Sequence, residues 1–284
     1  RDLVRSRGLG DVYKRQPFTR ANLVNGALLP ASTFRIAAEI ANPDEGIDRG
    51  VSGSFAALLP SGQVMIAGGC NFPTDTPLAP GAQKKFYSGI YTADPASDVI
   101  DWTLAAEMPA PMAYGATATV ASGAVLIGGS NASGLSTDVY HFDGTALTAL
   151  PSLPYGIDNA AAAAIGNKVY LAGGPGADGM PGNSLLCLDL DHQAKGWQEL
   201  KAMPGSPRVQ PVVAASDGKL YVFGGFAGRT PKAEPTVSTD GLCYDPKKNK
   251  WSAVAGPTEP DGKPLALGGG AAATLPNGDI LAIG

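Results

Sequence analysis

The sequence predicts an all-β fold. Its 284 residues include 38 Gly and 24 Pro, whereas only 16% of the residues are charged. Short apolar runs bounded by Gly, Pro, Asn and Asp recur along the chain, and few windows show the 3.6-residue period of a helix. No apolar run reaches the length of about 18 residues that a transmembrane helix needs. These features indicate a chain of short strands joined by tight turns.

A strand that ends in glycine recurs through the chain and defines a repeat. The motifs are "VMIAGG" ending at Gly69, "AVLIGG" at Gly129, "KVYLAGG" at Gly174, "KLYVFGG" at Gly225 and a final "DILAIG" at Gly284. Each motif follows a second apolar strand and a turn containing SG, GN, DG or NG, which favours a β-hairpin. A glycine at a strand end provides positive φ or lets another backbone approach closely.

Two further strands follow each complete hairpin. Third strands are predicted in "GIYTADP", "DVYHFDG", "LLCLDLDH" and "GLCYDPKK", and fourth strands begin at Trp102, Leu147, Trp197 and Trp251. A four-stranded unit repeated every 45–60 residues is typical of a β-propeller blade. The glycine pair with its later Tyr and Trp is the Kelch signature, and we expect the Trp to pack between blades.

The ends of the chain predict a six-bladed Kelch-type propeller that is truncated after about four and a half blades. "LVNGALLP" has the spacing of a fourth strand, so a closing strand is expected at about 21–30. Blades are expected to start near 52, 112, 157 and 208, with an incomplete blade from 268. Residues 17–284 would then form a partial propeller with two open edges, which favour association.

Residues 1–16 are interpreted as a cloning or sequencing scar, because "DVYKRQ" matches the translation of a transposon end used in library preparation. This segment carries five basic and two acidic residues, which leaves 16 basic against 23 acidic residues elsewhere. An acidic chain without a basic stripe argues against a nucleic-acid partner. Cys70, Cys187 and Cys243 form no CxxC motif, so we expect buried thiols on strands.

The repeat also predicts a binding site at the mouth of the central channel. The fourteenth residue before each first glycine is polar in four of five repeats, in the set Ser54, Tyr114, Asn159, Gln210 and Gly270. Asp158 and Arg208 lie beside this column, and Asn71, Asn131 and Arg229 follow glycine pairs. This pattern indicates a site for a polar, uncharged or anionic small molecule, with Arg208 as a carboxylate partner. The alternative is a hydrated channel lining in which Arg208 braces a loop.

Other motifs give no cofactor or metal site. "GPGADG" fits GxGxxG, but a turn and a strand follow where a dinucleotide site needs a helix. The two histidines, His141 and His192, are predicted to lie away from the channel mouth. A histidine-rich metal site and a Ser-His-Asp triad are therefore not predicted.

Four segments resemble the N-acetylneuraminate epimerases, which are bacterial sialic acid mutarotases. They are "GVSGSFAALLPSGQVMIAGGCNFP", "KKFYSGIY", "AYGATATV" and "MPGSPRVQP", and their order resembles the cyclically permuted branch of that family. The resemblance implies an isomerase that interconverts the α and β anomers of sialic acid in the periplasm. It implies a sugar-acid ligand and no metal, nucleotide, nucleic-acid or membrane partner.

The resemblance assigns only some site residues. Arg208 and Gln210 match the family's "SPRVQ" segment, with Asn159 and Asn71 as supporting contacts. The Glu/Arg pair proposed as catalytic in the family has no match, because the permuted order places it beyond Gly284. The catalytic residues therefore stay unassigned. The alternatives are a mutarotase for another sugar or sugar acid, and a non-catalytic Kelch module that binds a glycan or a protein.

Overall fold

The computed structural model describes residues 46–74, 79–227, 236–259 and 261–283, together with Ile40 and four two-residue strands within residues 19–33. Strands dominate these ranges. The helical elements among them are two 3-10 turns, Ile47–Arg49 and Gln193–Lys195. The predicted all-β Kelch-type propeller is confirmed.

Four antiparallel sheets of four strands each form the complete blades. Blade 1 contains the strands Phe55–Leu58, Val64–Ala67, Gly89–Ala93 and Thr103–Glu107. Blade 2 contains Ala116–Val120, Gly123–Ile127, Val139–Phe142 and Leu147–Ala149. Blade 3 contains Ala160–Ile165, Lys168–Gly173, Leu185–Asp189 and Gln198–Glu199. Blade 4 contains Val212–Ser216, Lys219–Phe223, Gly241–Asp245 and Lys250–Val254.

A hairpin follows blade 4 and supplies the inner part of blade 5. Its strands are Ala271–Thr274 and Ile280–Ile283, and Ala271 pairs with Ile283. Short ladders extend blades 1, 2 and 4 beyond their glycine pairs. They pair Cys70–Asn71 with Lys85–Phe86, Ser130–Asn131 with Gly134–Leu135, and Phe226–Ala227 with Thr236–Val237.

The N-terminal strands form two small ladders. Thr19–Arg20 pairs with Ser32–Thr33, and Leu23–Val24 pairs with Ala27–Leu28. The segment predicted as one closing strand thus contains a hairpin in the structure. Its place in a ring-closing blade stays a prediction.

The glycine pairs end the second strand of each blade because the next blade lies against them. Gly128 has a φ of 59°, and a Cβ atom there would come within 2.3 Å of the carbonyl oxygen of Ile157. The following glycine, Gly129, has a φ of 107° and donates its N–H to the same oxygen at 2.8 Å. The predicted need for positive φ and for close approach is therefore confirmed at one site.

The hydrophobic cores lie between neighbouring blades. One core combines Val125 and Ile127 of blade 2 with Val169 and Leu171 of blade 3. Trp197 packs against this cluster and donates its indole N–H to the carbonyl of Pro151 in blade 2 at 2.9 Å. The predicted packing of a Trp between blades is confirmed here. Packing between blades therefore fixes the orientation of each blade, and with it the face that its inner strand turns toward the channel.

Small, uncharged side chains line the central channel. The space between the inner strands is about 800 Å³, and Ala and Thr predominate along it. Representative residues are Ala57, Thr117, Ala163, Ala214 and Ala273. No charged side chain is present in this lining among the described residues. The described lining of the channel thus offers no acid, base or ion-pairing group.

Candidate functional site

Backbone hydrogen bonds join the inner strands into a ring at the channel mouth. The ring positions immediately precede the inner strands and are Gly53, Tyr114, Asn159, Gln210 and Gly269, which we call the mouth ring. The N–H of each of the last four positions donates to the carbonyl of the preceding ring position, with distances of 2.7, 2.8, 2.6 and 3.1 Å in chain order. The ring holds five neighbouring blades in register and fixes the direction of three polar side chains.

All five positions of the mouth ring have positive φ. The angles are 64° at Gly53, 61° at Tyr114, 50° at Asn159, 52° at Gln210 and 69° at Gly269. This region costs an L-residue about 1–2 kcal/mol, and glycine avoids that cost. Strained residues cluster at functional sites more than elsewhere. Side chains are thus present at three positions where glycine would be the more stable choice.

The predicted column is one residue out of register in blades 1 and 5. The hairpins of blades 2–4 turn through two residues, for example between Ile165 and Lys168. Blade 1 instead places five residues between Leu58 and Val64. Because of this longer turn, the ring position in blade 1 is Gly53, one residue before the predicted Ser54. The hairpin of blade 5 has an equally long turn, so its ring position is Gly269 and not the predicted Gly270. A substrate contact by Ser54 stays a prediction.

Tyr114 is the centre of a cluster at the mouth. Its ring lies over Gly53, where a Cβ atom would come within 2.6 Å of Tyr114 Cδ1. The phenol oxygen accepts hydrogen bonds from Lys84 Nζ and from Cys70 Sγ, both at 3.1 Å. Lys84 also lies 5.3 Å from the centre of the Tyr114 ring and 5.8 Å from that of Phe72. The lysine ammonium is therefore held at the mouth by the rings of Tyr114 and Phe72 and by the phenol oxygen of Tyr114.

Lys84 was missed by the column prediction because it lies on a loop. The hydrogen bond with Tyr114 raises the pKa of Lys84 above its usual value, against an opposing effect of desolvation. No carboxylate pairs with this ammonium among the described residues. A signal was present in the sequence, since Lys84 opens the "KKFYSGIY" segment on a loop that follows a glycine pair.

Asn159 and Gln210 form the second polar group of the mouth ring. Gln210 Nε2 donates to Asn159 Oδ1 at 2.8 Å, beside their 2.6 Å backbone bond. The Nδ2 of Asn159 and the Oε1 of Gln210 make no hydrogen bond within the described residues. One donor and one acceptor are thus free to contact a ligand with hydroxyl or amide groups.

Asp158 lies at the boundary between blades 2 and 3, next to the mouth ring. Its Oδ2 accepts a hydrogen bond from Ser130 Oγ at 2.8 Å, and the residue is half-buried. A carboxylate therefore lies next to the Asn159 position of the mouth ring, and the Lys84 ammonium lies next to the Tyr114 position.

Arg208 is buried and its guanidinium is occupied by protein groups. Nη1 and Nη2 bind the two carboxylate oxygens of Asp240 at 2.7 and 2.9 Å. Nη1 also donates to the carbonyl of Gly224 at 3.1 Å, and Nε to that of Ser206 at 3.3 Å. Arg208 is among the fully buried side chains of the structure. These contacts favour the interpretation in which Arg208 braces a loop, and its role as a substrate clamp stays a prediction.

Asn71 is also fully engaged in local structure. Its Nδ2 donates to the carbonyls of Gly46 and Gly50 at 2.7 and 2.8 Å, and its Oδ1 accepts from Tyr87 Oη at 2.8 Å. Asn71 therefore orders the loop of residues 46–50. Asn131 similarly donates to the carbonyl of Pro111 at 2.9 Å.

Arg229, which follows a glycine pair in the sequence, lies outside the described residues. Within the described ranges, no group of three or more His, Cys, Asp or Glu side chains could hold a metal ion. No helix in the described part of the chain is long and apolar enough to cross a membrane. The three cysteines are buried on strands, as predicted.

Comparison with known proteins points to one family for the second half of the chain. Residues 150–284 match the family model of N-acetylneuraminate epimerase. The matched range contains Asp158, Asn159, Arg208 and Gln210. Four of the predicted site residues are thus within the region of family similarity.

Curated relatives match segments of this chain that are similar in length to the segment matched by the family model. An N-acetylneuraminate epimerase of Haemophilus influenzae is 42% identical over 101 residues, which are 36% of this chain and 25% of the relative. One from Brucella suis is 34% identical over 135 residues, or 47% of this chain and 32% of the relative. The matched segments therefore span a quarter to a third of the length of these relatives.

A solved structure supports the fold over a wider range. The structure of YjhT aligns with a TM-score of 0.67 and covers 89% of this chain and 80% of its own. Its sequence is 15% identical, so this likeness concerns the fold alone. The permuted segment order stays a prediction. The sequence similarity of residues 150–284 confirms the resemblance to the N-acetylneuraminate epimerase family that the motifs predicted.

Proposed function

We propose that this chain is part of a sugar mutarotase that interconverts the α and β anomers of N-acetylneuraminate. The observation that supports it most is the mouth ring, in which strained Tyr114, Asn159 and Gln210 point polar groups at one end of an uncharged channel. Sequence similarity to epimerases over residues 150–284 supports the same assignment. The periplasmic location that the resemblance implies stays a prediction.

The reaction needs proton transfer at two oxygen atoms. A base removes the proton of the anomeric hydroxyl, the bond from the anomeric carbon to the ring oxygen breaks, and an acid protonates that oxygen. The open-chain 2-keto acid then recloses on the other face of the carbonyl by the reverse steps. No covalent intermediate with the protein is required, so positioned acid and base groups are sufficient.

The mouth can bind such a substrate through complementary polar groups. The free amide donor of Asn159 and the free amide acceptor of Gln210 suit the hydroxyl and N-acetyl groups of the sugar. Asp158 is the carboxylate nearest to the ring positions in sequence, and Ser130 orients it. We propose Asp158 as a substrate contact and leave the catalytic acid and base unassigned.

Proton NMR tests the activity directly. Freshly dissolved crystalline N-acetylneuraminate is one anomer, and its approach to equilibrium is followed with and without protein. We expect a first-order rate that rises in proportion to protein concentration. A neutral sugar such as N-acetylmannosamine serves as the parallel substrate. A spontaneous rate for both sugars with folded protein would contradict the proposal, whereas acceleration of the neutral sugar alone would favour a different substrate.

A further inference from the structure

Lys84 and Tyr114 together have the chemistry of a carboxylate site. The cluster lies at the channel mouth, where Lys84 is exposed and Tyr114 is half-buried. The ammonium of Lys84 has no carboxylate partner among the described residues. A cation held by the phenol oxygen and ring of Tyr114 and by the ring of Phe72, with no carboxylate partner in the described ranges, favours binding of an anionic ligand.

The hydrogen bonds of Tyr114 leave its proton available. A phenol oxygen offers two lone pairs and one O–H. Lys84 Nζ and Cys70 Sγ occupy the acceptor side, each at 3.1 Å. Their donation orients the O–H away from both groups. A ligand carboxylate beside Lys84 can thus accept from the ammonium with one oxygen and from the phenol with the other.

The backbone explains why this tyrosine is fixed. Tyr114 has a φ of 61° and its N–H binds the Gly53 carbonyl at 2.7 Å. Gly53 has no side chain, so the tyrosine ring can lie flat over it. The site is therefore built before any ligand arrives, which lowers the entropic cost of binding.

The alternative cation is already neutralised. Arg208 is buried, and Asp240 binds both of its terminal nitrogens. Using Arg208 as a clamp would require that pair to break and a loop to open. Lys84 needs no such rearrangement, because its ammonium is on the surface of the mouth.

We infer that Lys84 and Tyr114 recognise the carboxylate of the sugar acid at the channel mouth. This inference rests on the proposed function in taking a sugar acid as the ligand. Tyr114 donates its O–H to one carboxylate oxygen, and Lys84 supplies the charge. The pair thereby orients the anomeric carbon of the sugar, which carries that carboxylate, toward the interior of the mouth ring.

Binding of a non-reacting ligand tests the inference separately from turnover. The methyl glycoside of N-acetylneuraminate keeps the carboxylate but cannot open its ring. We expect Lys84→Gln to weaken its affinity about 10- to 100-fold, and Tyr114→Phe about 10-fold, as for hydrogen bonds to a charged group. Lys84→Arg should restore most of the affinity. The binding should also weaken as salt rises from 0.01 to about 0.15 M, because the site is exposed.

Two controls distinguish recognition from a structural effect. Lys219 lies at the opposite end of blade 4, at the start of the second strand and just after the turn that follows the inner strand, so Lys219→Gln should bind like the wild type. The methyl ester of the same glycoside lacks the negative charge, and its affinity should be equal for wild type and Lys84→Gln. Thermal unfolding of each variant establishes that the protein is folded.

The outcomes separate this inference from the proposed function. Loss of affinity for the acid alone in Lys84→Gln supports the carboxylate site, even if the protein fails to accelerate anomer exchange. Equal losses for acid and ester, unchanged affinity in Lys84→Gln, or no binding of the glycoside by folded wild type would each overturn it. Anomer exchange that persists unchanged in Lys84→Gln would overturn it while leaving the proposed function intact.

Discussion

Arg208 and Asp240 form a bidentate ion pair, with nitrogen–oxygen distances of 2.7 and 2.9 Å. The arginine side chain is 1% exposed and the aspartate 43%, so the pair joins a buried position to the surface. Apolar residues take the place of Arg208 in the other blades. The carbonyl of Arg208 accepts a hydrogen bond from the N–H of Gly174, the second glycine of its pair. The equivalent bonds in the other blades are accepted by the carbonyls of Met112, Ile157 and Leu267. A buried arginine at an apolar position depends on its carboxylate.

The first prediction concerns this ion pair. Asp240→Ala should lower the free energy of unfolding by about 2 kcal/mol, because it leaves a buried guanidinium without its partner. Arg208→Met should cost less, about 1 kcal/mol, since Met is the residue at the same position in blade 2. Urea unfolding of both variants measures the two values. In the double variant the cost of Asp240→Ala should vanish, and additive losses would show that the pair contributes nothing specific.

A second prediction isolates the close approach between blades. Gly128 and Gly166 have nearly the same φ, 59° and 58°, but a Cβ atom would meet the Ile157 oxygen at the first and nothing within 4 Å at the second. Gly166→Ala should therefore cost only the strain, about 1–2 kcal/mol. Gly128→Ala should cost about 1–3 kcal/mol more because of the added steric clash. Equal midpoints in urea would contradict the close approach.

The third prediction concerns strain in the mouth ring. Gln210→Ala keeps the positive φ and loses the amide bond to Asn159, so stability should fall by about 1 kcal/mol. Gln210→Gly loses the same bond but relieves about 1–2 kcal/mol of strain, so its stability should equal or exceed that of the wild type. Both variants should bind the sugar acid more weakly. If the glycine variant is less stable than the alanine variant, the ring position is not strained.

The fourth prediction concerns alkaline pH. Burial raises the pKa of the Cys187 thiol from 9.0 to about 11. Below pH 9 the thiol is protonated in both states, and its contribution to stability is fully present. Between pH 9 and 11 only the unfolded state loses the proton, so the free energy of unfolding should fall by up to about 3 kcal/mol. Urea unfolding at pH 8 and pH 10.5 measures the change.

Cys187→Ala provides the control for that titration. It removes the thiol from both states, so its loss of stability between the two pH values should be smaller than that of the wild type. The remaining loss reports other groups, among them Tyr170, whose pKa is also raised by burial. The same slope in wild type and variant would refute the assignment to Cys187.

The fold was predictable because each blade repeats the same local chemistry. The glycine pair and the hairpin turn recur in every complete blade, a Trp follows them in three of the four, and each feature has one structural reason. The structure places them as expected, for example at Gly128 and Trp197. The ring register was predicted only for blades 2–4. Hairpin length cannot be read from the glycine spacing alone, so Ser54 was aligned where Gly53 belongs.

The site was predicted less completely than the fold. Tyr114, Asn159 and Gln210 were found because a repeat gives equivalent positions a common location. Arg208 was assigned from residue type and position, but the partner that occupies it, Asp240, follows 32 residues later, on the loop before a third strand. Lys84 belongs to the loop between the second and third strands, whose length differs from blade to blade, so only the three-dimensional contact with Tyr114 identifies it.

A crystal structure of the protein with the methyl glycoside of N-acetylneuraminate would show which side chains bind the carboxylate. We expect one sugar at the channel mouth, with its carboxylate within about 3 Å of Lys84 Nζ and Tyr114 Oη. Asn159 and Gln210 should contact its hydroxyl or N-acetyl groups. A sugar bound elsewhere, or at the mouth with its carboxylate turned away from Lys84, would rule out recognition of the sugar acid by Lys84 and Tyr114.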